Sequence, residues 1–262
     1  MNEEYPIAIS VQNLTKSFNR RTILEEVNLD IRRGEIFVIM GGSGCGKSTL
    51  LRLMTGAIKP DIGKVEFNNQ DLTMLSEVEL EKVKRRFGMS FQSAALLDFM
   101  SVEDNVSLPL REHTRLGKKI IDIIVRMKLG LVGMQGFEKM MPNELSGGMR
   151  KRVGLARAIA MDPEVVFYDE PSAGLDPIAC AVVDQLIVDL SKKLLLTSVV
   201  VTHNMDSVFR IADRIGMLYR GRLLEVGTPE QIKNSSNPVV QQFIQGKLSG
   251  PIDIRAHEDM AS

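Results

Sequence analysis

The stretch Ile36–Thr49, IFVIMGGSGCGKST, decides the fold of this chain. It starts with an unbroken apolar run, passes through a glycine-rich loop and leads directly into residues that favour a helix. The pattern Gly-x-x-x-x-Gly-Lys-Ser between a strand and a helix is typical of a phosphate-binding loop, because the glycines let consecutive backbone N–H groups turn toward one phosphate. The stretch therefore predicts an α/β domain that binds a nucleotide.

Three positions of this loop have expected roles of their own. Lys47 is expected to reach the β- and γ-phosphates as a point charge, Ser48 to coordinate Mg²⁺, and Thr49 to bond the α-phosphate. The helix behind the loop adds the positive end of its dipole. The residues expected to bind the nucleotide here are Gly41, Gly42, Ser43, Gly44, Cys45, Gly46, Lys47, Ser48 and Thr49.

Apolar runs alternate with helix-like segments along most of the chain. Continuous apolar runs suit parallel strands that are covered by helices on both faces, so the expected fold class is α/β with a mostly parallel core sheet. The predicted strands are Ile7–Val11, Ile36–Met40, Val165–Tyr168, Ser198–Thr202 and Ile215–Tyr219, and the predicted helices are Lys47–Thr55, Ile178–Leu194 and Met205–Ile211.

A stretch rich in helix formers interrupts this alternation between about Ser93 and Met161. It contains few β-branched runs and predicts a helical subdomain inserted into the sheet domain, at about 93–161. The whole domain is predicted to span residues 1–246. Residues 247–262 lack periodicity and predict a tail that becomes ordered only against another surface.

The composition excludes several classes of protein. Lys plus Arg and Asp plus Glu both number 33, so the basic excess that is usual in a nucleic-acid binder is absent and no nucleic-acid partner is expected. The hydrophobic fraction of 44% is that of a folded globular protein. The longest stretch without Asp, Glu, Lys or Arg, Asn234–Gly246, is too short and too polar for a membrane span, and the first residues do not form a secretory signal. Work at a membrane would need a partner.

Two carboxylates, Asp169 and Glu170, follow the apolar run Val165–Tyr168. The ends of strands in open α/β sheets face the ligand crevice, so Asp169 is expected to hold Mg²⁺. Glu170, as the next residue of an extended chain, is expected to face the other way and to polarise a water aimed at the γ-phosphate.

The segment Leu145–Met149, LSGGM, completes the pattern. A phosphate loop, an LSGG sequence and an apolar strand ending in Asp-Glu-Pro, in this order and spacing, resemble the ATP-binding-cassette (ABC) ATPases over Ile7–Ile244. The resemblance implies a P-loop NTPase fold with a mostly parallel core sheet, an antiparallel β edge and a helical subdomain, and ATP hydrolysis with ATP and Mg²⁺. Met149 stands where the family commonly has glutamine.

The resemblance also implies roles for residues that are uninformative on their own. Phe18 matches the aromatic residue that stacks on adenine, Gln92 the Q-loop glutamine, and His203 the switch histidine that contacts the γ-phosphate. The implied catalytic residues are Lys47, Gln92, Glu170 and His203, and the implied Mg²⁺ ligands are Ser48, Gln92 and Asp169.

The resemblance also implies that a second copy of the chain meets the LSGG sequence. Ser146, Gly147 and Gly148 begin a helix whose N-terminus suits an anion, and this end is useful only when it meets the γ-phosphate held by another subunit. The resemblance therefore implies a head-to-tail homodimer around two ATP, with a two-fold interface.

Three stretches narrow the resemblance to the ATPases of MCE-type phospholipid transporters such as the Mla system: Ser90–Leu110, Glu144–Ala160 and Val165–Pro177. The implied partners are a membrane permease, an MCE-domain subunit and a STAS-domain accessory protein. The implied location is the cytoplasmic face of the bacterial inner membrane, peripheral through the permease. Transport of another solute, such as an amino acid, stays open as an alternative, followed by a soluble ABC ATPase without a transport role.

Two short runs have open interpretations. The apolar run Ala94–Met100 is expected either to form a groove for a permease helix or to fill the core of the helical subdomain. The basic run Arg150–Arg152 is expected to be a solvated helix face, or else a contact to an acidic partner surface or to lipid headgroups.

Overall fold

The computed structural model of the protein describes residues 6–252, in which strands and helices alternate. The strands are β1 (Ile7–Phe18), β2 (Arg21–Arg32), β3 (Ile36–Met40), β4 (Ile62–Phe67), β5 (Gln70–Asp71), β6 (Phe87–Ser90), β7 (Val165–Asp169), β8 (Thr197–Thr202), β9 (Arg214–Tyr219) and β10 (Arg222–Gly227). The α-helices are α1 (Lys47–Met54), α2 (Glu77–Lys84), α3 (Val102–His113), α4 (Lys118–Leu131), α5 (Gly147–Ala158), α6 (Pro177–Leu194), α7 (Met205–Ile211), α8 (Pro229–Lys233) and α9 (Pro238–Gln245).

The core sheet has six strands in the order β10-β9-β3-β8-β7-β6. The pairs from β9 to β6 are parallel, and β10 adds an antiparallel edge. Met40 pairs with Thr202, and Asp169 pairs with Val201. The carboxyl ends of β3, β7 and β8 therefore meet at one edge of the sheet. The predicted α/β class with a mostly parallel core sheet is confirmed.

Alternate residues of the core strands point to opposite faces of the sheet. In β3, Val38 and Met40 belong to one hydrophobic cluster, whereas Phe37 and Ile39 belong to the other. All four side chains are fully buried. Burial on both faces explains why these strands are continuous apolar runs in the sequence.

A second, antiparallel sheet has the order β2-β1-β4-β5. It covers α1 with one apolar face, to which Leu14, Leu24 and Val27 contribute. Edge-to-face contacts between aromatic rings connect it to the core sheet, since Phe67 contacts Phe87 at 4.8 Å between ring centroids. This sheet is the antiparallel β part that the family resemblance implies.

The segment between β6 and β7 contains α3, α4, α5 and a short 3₁₀ helix, Pro142–Glu144, and no strand in this fully described stretch. Its buried residues, such as Val106 and Leu155, join the hydrophobic cluster that also contains Val166 of the core sheet. The division of the chain into a domain at 1–246 with an inserted subdomain at 93–161 stays a prediction.

The first residues of the expected tail fold back onto α9. The Gln242 amide donates to the carbonyls of Lys247 and Ile252, and its Oε1 accepts from the Ile252 N–H at 2.7 Å. The rest of the tail, 253–262, lies outside the described residues. Over residues 6–252, the structure contains no helix with the length and apolar character needed to cross a bilayer.

Candidate active site

The phosphate loop connects β3 to α1 and packs against the β1–β2 hairpin. Gly46 adopts a φ of +107°, a conformation that residues with a side chain rarely adopt. A Cβ at this position would lie 2.8 Å from Leu24 Cδ2 and 3.0 Å from the carbonyl oxygen of Ile23. Both the backbone conformation and the close approach of the hairpin therefore require glycine here.

Lys47 lies inside the curve of this loop. Its Nζ donates to the carbonyl oxygens of Gly41 at 2.8 Å and Gly42 at 2.9 Å, and the side chain is buried. Cys45 is also buried, and burial raises the pKa of its thiol, the opposite of a thiol activated for reaction. Lys47 thus presents a positive charge at the loop, while Cys45 fills space behind it.

Ser48 and Asp169, which are far apart in the sequence, meet at the carboxyl edge of the sheet. Ser48 Oγ donates to Asp169 Oδ1 at 3.3 Å. Burial raises the pKa of the Asp169 carboxyl, the Ser48 hydrogen bond opposes this, and the neighbouring charge of Glu170 adds to it. The structure thus brings together two of the three residues expected to bind Mg²⁺.

A hydroxyl and a carboxylate oxygen suit Mg²⁺, which is usually held by one or two carboxylates together with substrate phosphates and water. Between residues 6 and 252, no group of three or more His, Cys, Asp or Glu side chains could hold a metal ion by itself. The donor set at Ser48 and Asp169 therefore fits a metal that is shared with a bound nucleotide.

Glu170 leaves the extended conformation that the sequence predicted for it. Its φ is +47°, and its N–H donates to the Val201 carbonyl at 2.9 Å. This turn directs the carboxylate to the end of β8, where Oε2 accepts from Thr202 Oγ1 at 3.1 Å and Oε1 lies 2.7 Å from His203 Nδ1. The expected reason for the orientation of Glu170 is therefore wrong, because a left-handed residue at the strand end turns the side chain.

His203 is mostly exposed, with 60% of its side chain accessible. The contact that the structure gives it is with Glu170, so the expected base and the expected switch histidine form a pair. The expected contact of His203 with a γ-phosphate stays a prediction.

Gln92 and Phe18 lie on exposed segments of the chain. The Gln92 side chain makes no hydrogen bond to any residue in the described range, although its backbone carbonyl accepts one from Lys151. Phe18 ends β1 with 45% of its surface exposed, and Lys16 Nζ lies 5.3 Å from the centre of its ring. Their expected roles, at Mg²⁺ and on adenine, stay predictions.

Ser146 is the N-cap of α5, and its Oγ accepts from the Met149 N–H at 3.2 Å. Gly147 and Gly148 form the first turn, and a Cβ on Gly147 would lie 3.3 Å from Leu175 Cδ2. Ser146 is exposed, and no hydrogen bond within the described chain connects it to the phosphate loop. This helix end is available to a ligand from outside the subunit.

The expectation of a solvated basic run at Arg150–Arg152 is wrong for its middle residue. Lys151 is only 7% exposed, and its Nζ donates to the carbonyls of Gln92 and, at 3.3 Å, Glu170. Helical periodicity could have revealed this, because Lys151 lies one turn before Leu155 on the buried face of α5.

Comparisons with known proteins agree on the family. A family model described as "ABC transporter" matches residues 24–173. The chain is 45% identical to the intermembrane phospholipid transport system ATP-binding protein MlaF of Haemophilus influenzae, over 93% of this chain and 92% of that protein. It is 43% identical to the probable ribonucleotide transport ATP-binding protein mkl of Mycobacterium leprae, over 97% of this chain and 73% of that protein.

Solved structures share the fold. The structure of cbiO1 from Clostridium perfringens, which is part of the ABC transporter complex cbiONQ, matches with a TM-score of 0.82 and 28% sequence identity. The match covers 98% of this chain and all of that one. The ATP-binding cassette MJ0796, in a dimeric post-hydrolysis state bound to ADP and Pi, has a TM-score of 0.77 and 31% identity, over 84% of this chain and 98% of that one. Together with the phosphate loop and the carboxylates beside it, these matches establish that the chain is an ATP-binding, ATP-hydrolysing member of the ABC transporter family.

Proposed function

We propose that this chain hydrolyses ATP to drive phospholipid transport between the bacterial inner and outer membranes, as the ATPase subunit of an ABC transporter complex. The observation that carries the proposal is the match with MlaF of Haemophilus influenzae, which extends over 93% of this chain and 92% of that protein. MlaF of Escherichia coli K12 matches at 42% identity with similar coverage, 96% and 94%. A match over nearly the full length of both chains supports a shared role for the whole subunit.

The nucleotide is held mainly by the phosphate loop. Lys47 and the backbone N–H groups of residues 42–47 bind the β- and γ-phosphates, Thr49 bonds the α-phosphate, and Phe18 stacks on adenine. Ser48, Asp169 and Gln92 hold Mg²⁺, which neutralises phosphate charge when it is bound. The Ser48–Asp169 hydrogen bond supports this assignment, since it already brings both ligands to one point.

Glu170 acts as the general base that orients or deprotonates the attacking water. Its support is geometric, because Thr202 and His203 hold the two carboxylate oxygens at the carboxyl edge of the sheet, directly after Asp169. His203 then transmits changes at the γ-phosphate to the base, because its imidazole contacts the Glu170 carboxylate.

Two copies of the chain enclose two ATP in a head-to-tail dimer. The exposed Ser146 end of α5 supports this arrangement, because a helix N-terminus with free N–H groups attracts a phosphate. MJ0796, which was solved as a dimer, is a structural neighbour with 32% identity and a TM-score of 0.78.

The partners are a membrane permease, an MCE-domain subunit and a STAS-domain protein, and the permease holds the chain at the cytoplasmic face of the inner membrane. The run Ala94–Met100 divides between the two expected roles, since Ala94 is 2% exposed and Phe99 is 76% exposed. Phe99 and the exposed Phe91 nearby in the sequence are the apolar residues available to a permease helix.

A ribonucleotide is the second candidate cargo, because the mkl proteins match this chain at 42–43% identity. The chain covers 73% of those proteins, against 92% and 94% of the two MlaF proteins. The fuller coverage favours phospholipid.

The test is purification of the complex in mild detergent, with mass spectrometry of the proteins and lipids that elute with it. Reconstituted complex is then assayed for ATP hydrolysis with phospholipid acceptor vesicles or with ribonucleotides. The proposal expects bound phospholipid and stimulation by the vesicles alone. Stimulation by ribonucleotides, without bound lipid, would transfer the assignment to the second candidate.

A further inference from the structure

The buried Lys151 side chain connects two segments of the active site, the loop at Gln92 and the turn at Glu170. Its ammonium donates to the carbonyl of Gln92, on the loop after β6, and to the carbonyl of Glu170 at 3.3 Å. Both acceptors are backbone atoms of residues that carry proposed roles in ATP hydrolysis. The donor comes from α5, the same helix that begins at Ser146.

Burial of the Lys151 ammonium costs free energy, because a charged group loses its hydration when it is buried. Among the described residues, no carboxylate lies within salt-bridge distance of Lys151 Nζ, and burial lowers the pKa of the Lys151 ammonium, against the raising effect of Glu170, Cys180 and Asp169. A buried charge persists only where other groups stabilise it. Here the two carbonyl oxygens and the field of the acidic pair supply that stabilisation.

A second basic residue of α5 holds the other side of the same loop. Arg157 donates to the carbonyls of Ala94 at 2.7 Å and Ala95 at 2.6 Å, and both alanines have left-handed backbones with φ of +60° and +46°. Strained conformations of this kind persist when surrounding contacts determine them. The chain from Gln92 to Ala95 is thus fixed to α5 at three carbonyls. Lys151 extends this connection to the Glu170 carbonyl, which also accepts from the Ala173 N–H at 3.1 Å.

We propose that Lys151 is a positioning residue for ATP hydrolysis, which fixes the left-handed turn at Glu170 relative to the Gln92 loop and so sets the position of the Glu170 carboxylate. The proposal rests on the proposed role of Glu170 as the base. The ammonium acts on the backbone of Glu170 and has no hydrogen bond to the phosphate loop in the described chain. Its loss is therefore expected to change the chemical step and leave nucleotide binding intact.

The test compares Lys151→Met with Arg152→Met in the purified transporter complex. Arg152 is the adjacent basic residue of α5 and donates instead to the Gly133 carbonyl, so its substitution removes a charge and one hydrogen bond without contact to the active site. For Lys151→Met we expect kcat to fall about tenfold or more, since misplacement of a reacting group by 1 Å costs up to about 100-fold. We expect KM for ATP to change less than about twofold, and Arg152→Met to keep both constants within about twofold.

Two further variants separate positioning from general stability. Lys151→Arg keeps a charged donor and is expected to restore kcat to within about threefold of the wild-type value. In a Glu170→Gln background, Lys151→Met is expected to slow single-turnover hydrolysis less than about twofold further, because residues that act through one another are non-additive. If Lys151→Met does not yield folded complex, Lys151→Gln replaces it, since its shorter amide reaches at most one of the two carbonyls.

The possible outcomes are distinct. Wild-type kcat in Lys151→Met, an equal loss in Arg152→Met, or an undiminished loss in the Glu170→Gln background would each overturn the inference. Absence of ATP hydrolysis by the wild-type complex would instead overturn the proposed function. A rise in KM at constant kcat would assign Lys151 to nucleotide binding and also contradict the inference.

Discussion

Glu170 is the residue on which the chemistry depends. Replacing it with glutamine keeps an oxygen that can accept from Thr202 Oγ1 but removes the negative charge next to His203. We expect ATP hydrolysis to slow by about 100-fold or more, a size typical of a lost general base. ATP binding, measured with a fluorescent analogue, is expected to be unchanged. A Glu170→Gln variant that turns over at the wild-type rate would remove Glu170 from this role.

The raised pKa of Asp169 predicts that the stability of the protein depends on pH. Burial raises its pKa above that of the unfolded chain, so the folded protein holds the proton more tightly. The stabilisation from the protonated form is present below the unfolded pKa of 3.8 and is lost as pH rises through the raised value. At neutral pH the ionised carboxylate therefore costs stability, and Asp169→Asn is expected to raise the Tm of the protein without nucleotide or Mg²⁺.

Differential scanning fluorimetry across pH checks this expectation. The difference in Tm between Asp169→Asn and the wild type should shrink as the pH is lowered toward the unfolded pKa of Asp. The same variant is expected to lose activity, because the proposed Mg²⁺ ligand loses its charge. A lower Tm for Asp169→Asn at neutral pH would show that hydrogen bonds of the carboxylate outweigh the cost of burying it.

At the scale of elements, we expect opposite effects on stability from substituting Gly46 in the phosphate loop and Gly130 in α4. Gly46→Ala introduces a Cβ 2.8 Å from Leu24 Cδ2 at a φ of +107° and is expected to destabilise the fold by about 1–3 kcal/mol. Gly130→Ala in α4 has no atom within 4 Å of the added Cβ and is expected to stabilise by up to about 1 kcal/mol. Urea denaturation measures both, and a neutral Gly46→Ala would contradict the requirement for glycine.

Sequence reasoning succeeded where one element carries its own signal. Ile36–Met40 and Met205–Ile211 were predicted with the bounds that the structure has. For Ile36–Met40 the reason is that a fully buried parallel strand is a continuous apolar run. Strand β1 was predicted only to Val11 but continues to Phe18, and β2 was not assigned. Both have one half-exposed face, where polar residues obscure the strand pattern.

The sequence motifs predicted which residues belong to the candidate site but not which of them contact each other. The spacing of the motifs indicated Ser48, Asp169, Glu170 and His203 without showing which of them touch. The pairs Ser48–Asp169 and Glu170–His203 come from the register of β3, β7 and β8, which a single sequence does not specify. The burial of Lys151 was missed although its spacing of one helical turn from Leu155 places it on the buried face of α5.

For the whole molecule, the proposed dimer predicts a difference between two helix caps. Ser146 Oγ and Ser101 Oγ each accept from a backbone N–H at 3.2 Å, at the starts of α5 and α3. Substitution of either by alanine is expected to cost about 1 kcal/mol of stability. Only Ser146→Ala, in the Glu170→Gln background, is expected to weaken the dimer that forms with ATP, as measured by light scattering after size exclusion. Equal dimerisation of the two variants would remove Ser146 from the interface.

The placement of the helical segment between two paired strands limits how it can move. The chain enters this segment after Ser90, which pairs with Tyr168, and returns at Val165, which pairs with Phe87. These two attachment points lie at opposite ends of one strand pair, roughly 10 Å apart at 3.3 Å per residue. Between these two points the segment also packs on the sheet, since Val106 and Leu155 share one hydrophobic cluster with Val166 of β7. Any displacement of the segment would therefore have to disrupt packing that it shares with the strand leading to Asp169 and Glu170, so the two parts are mechanically coupled.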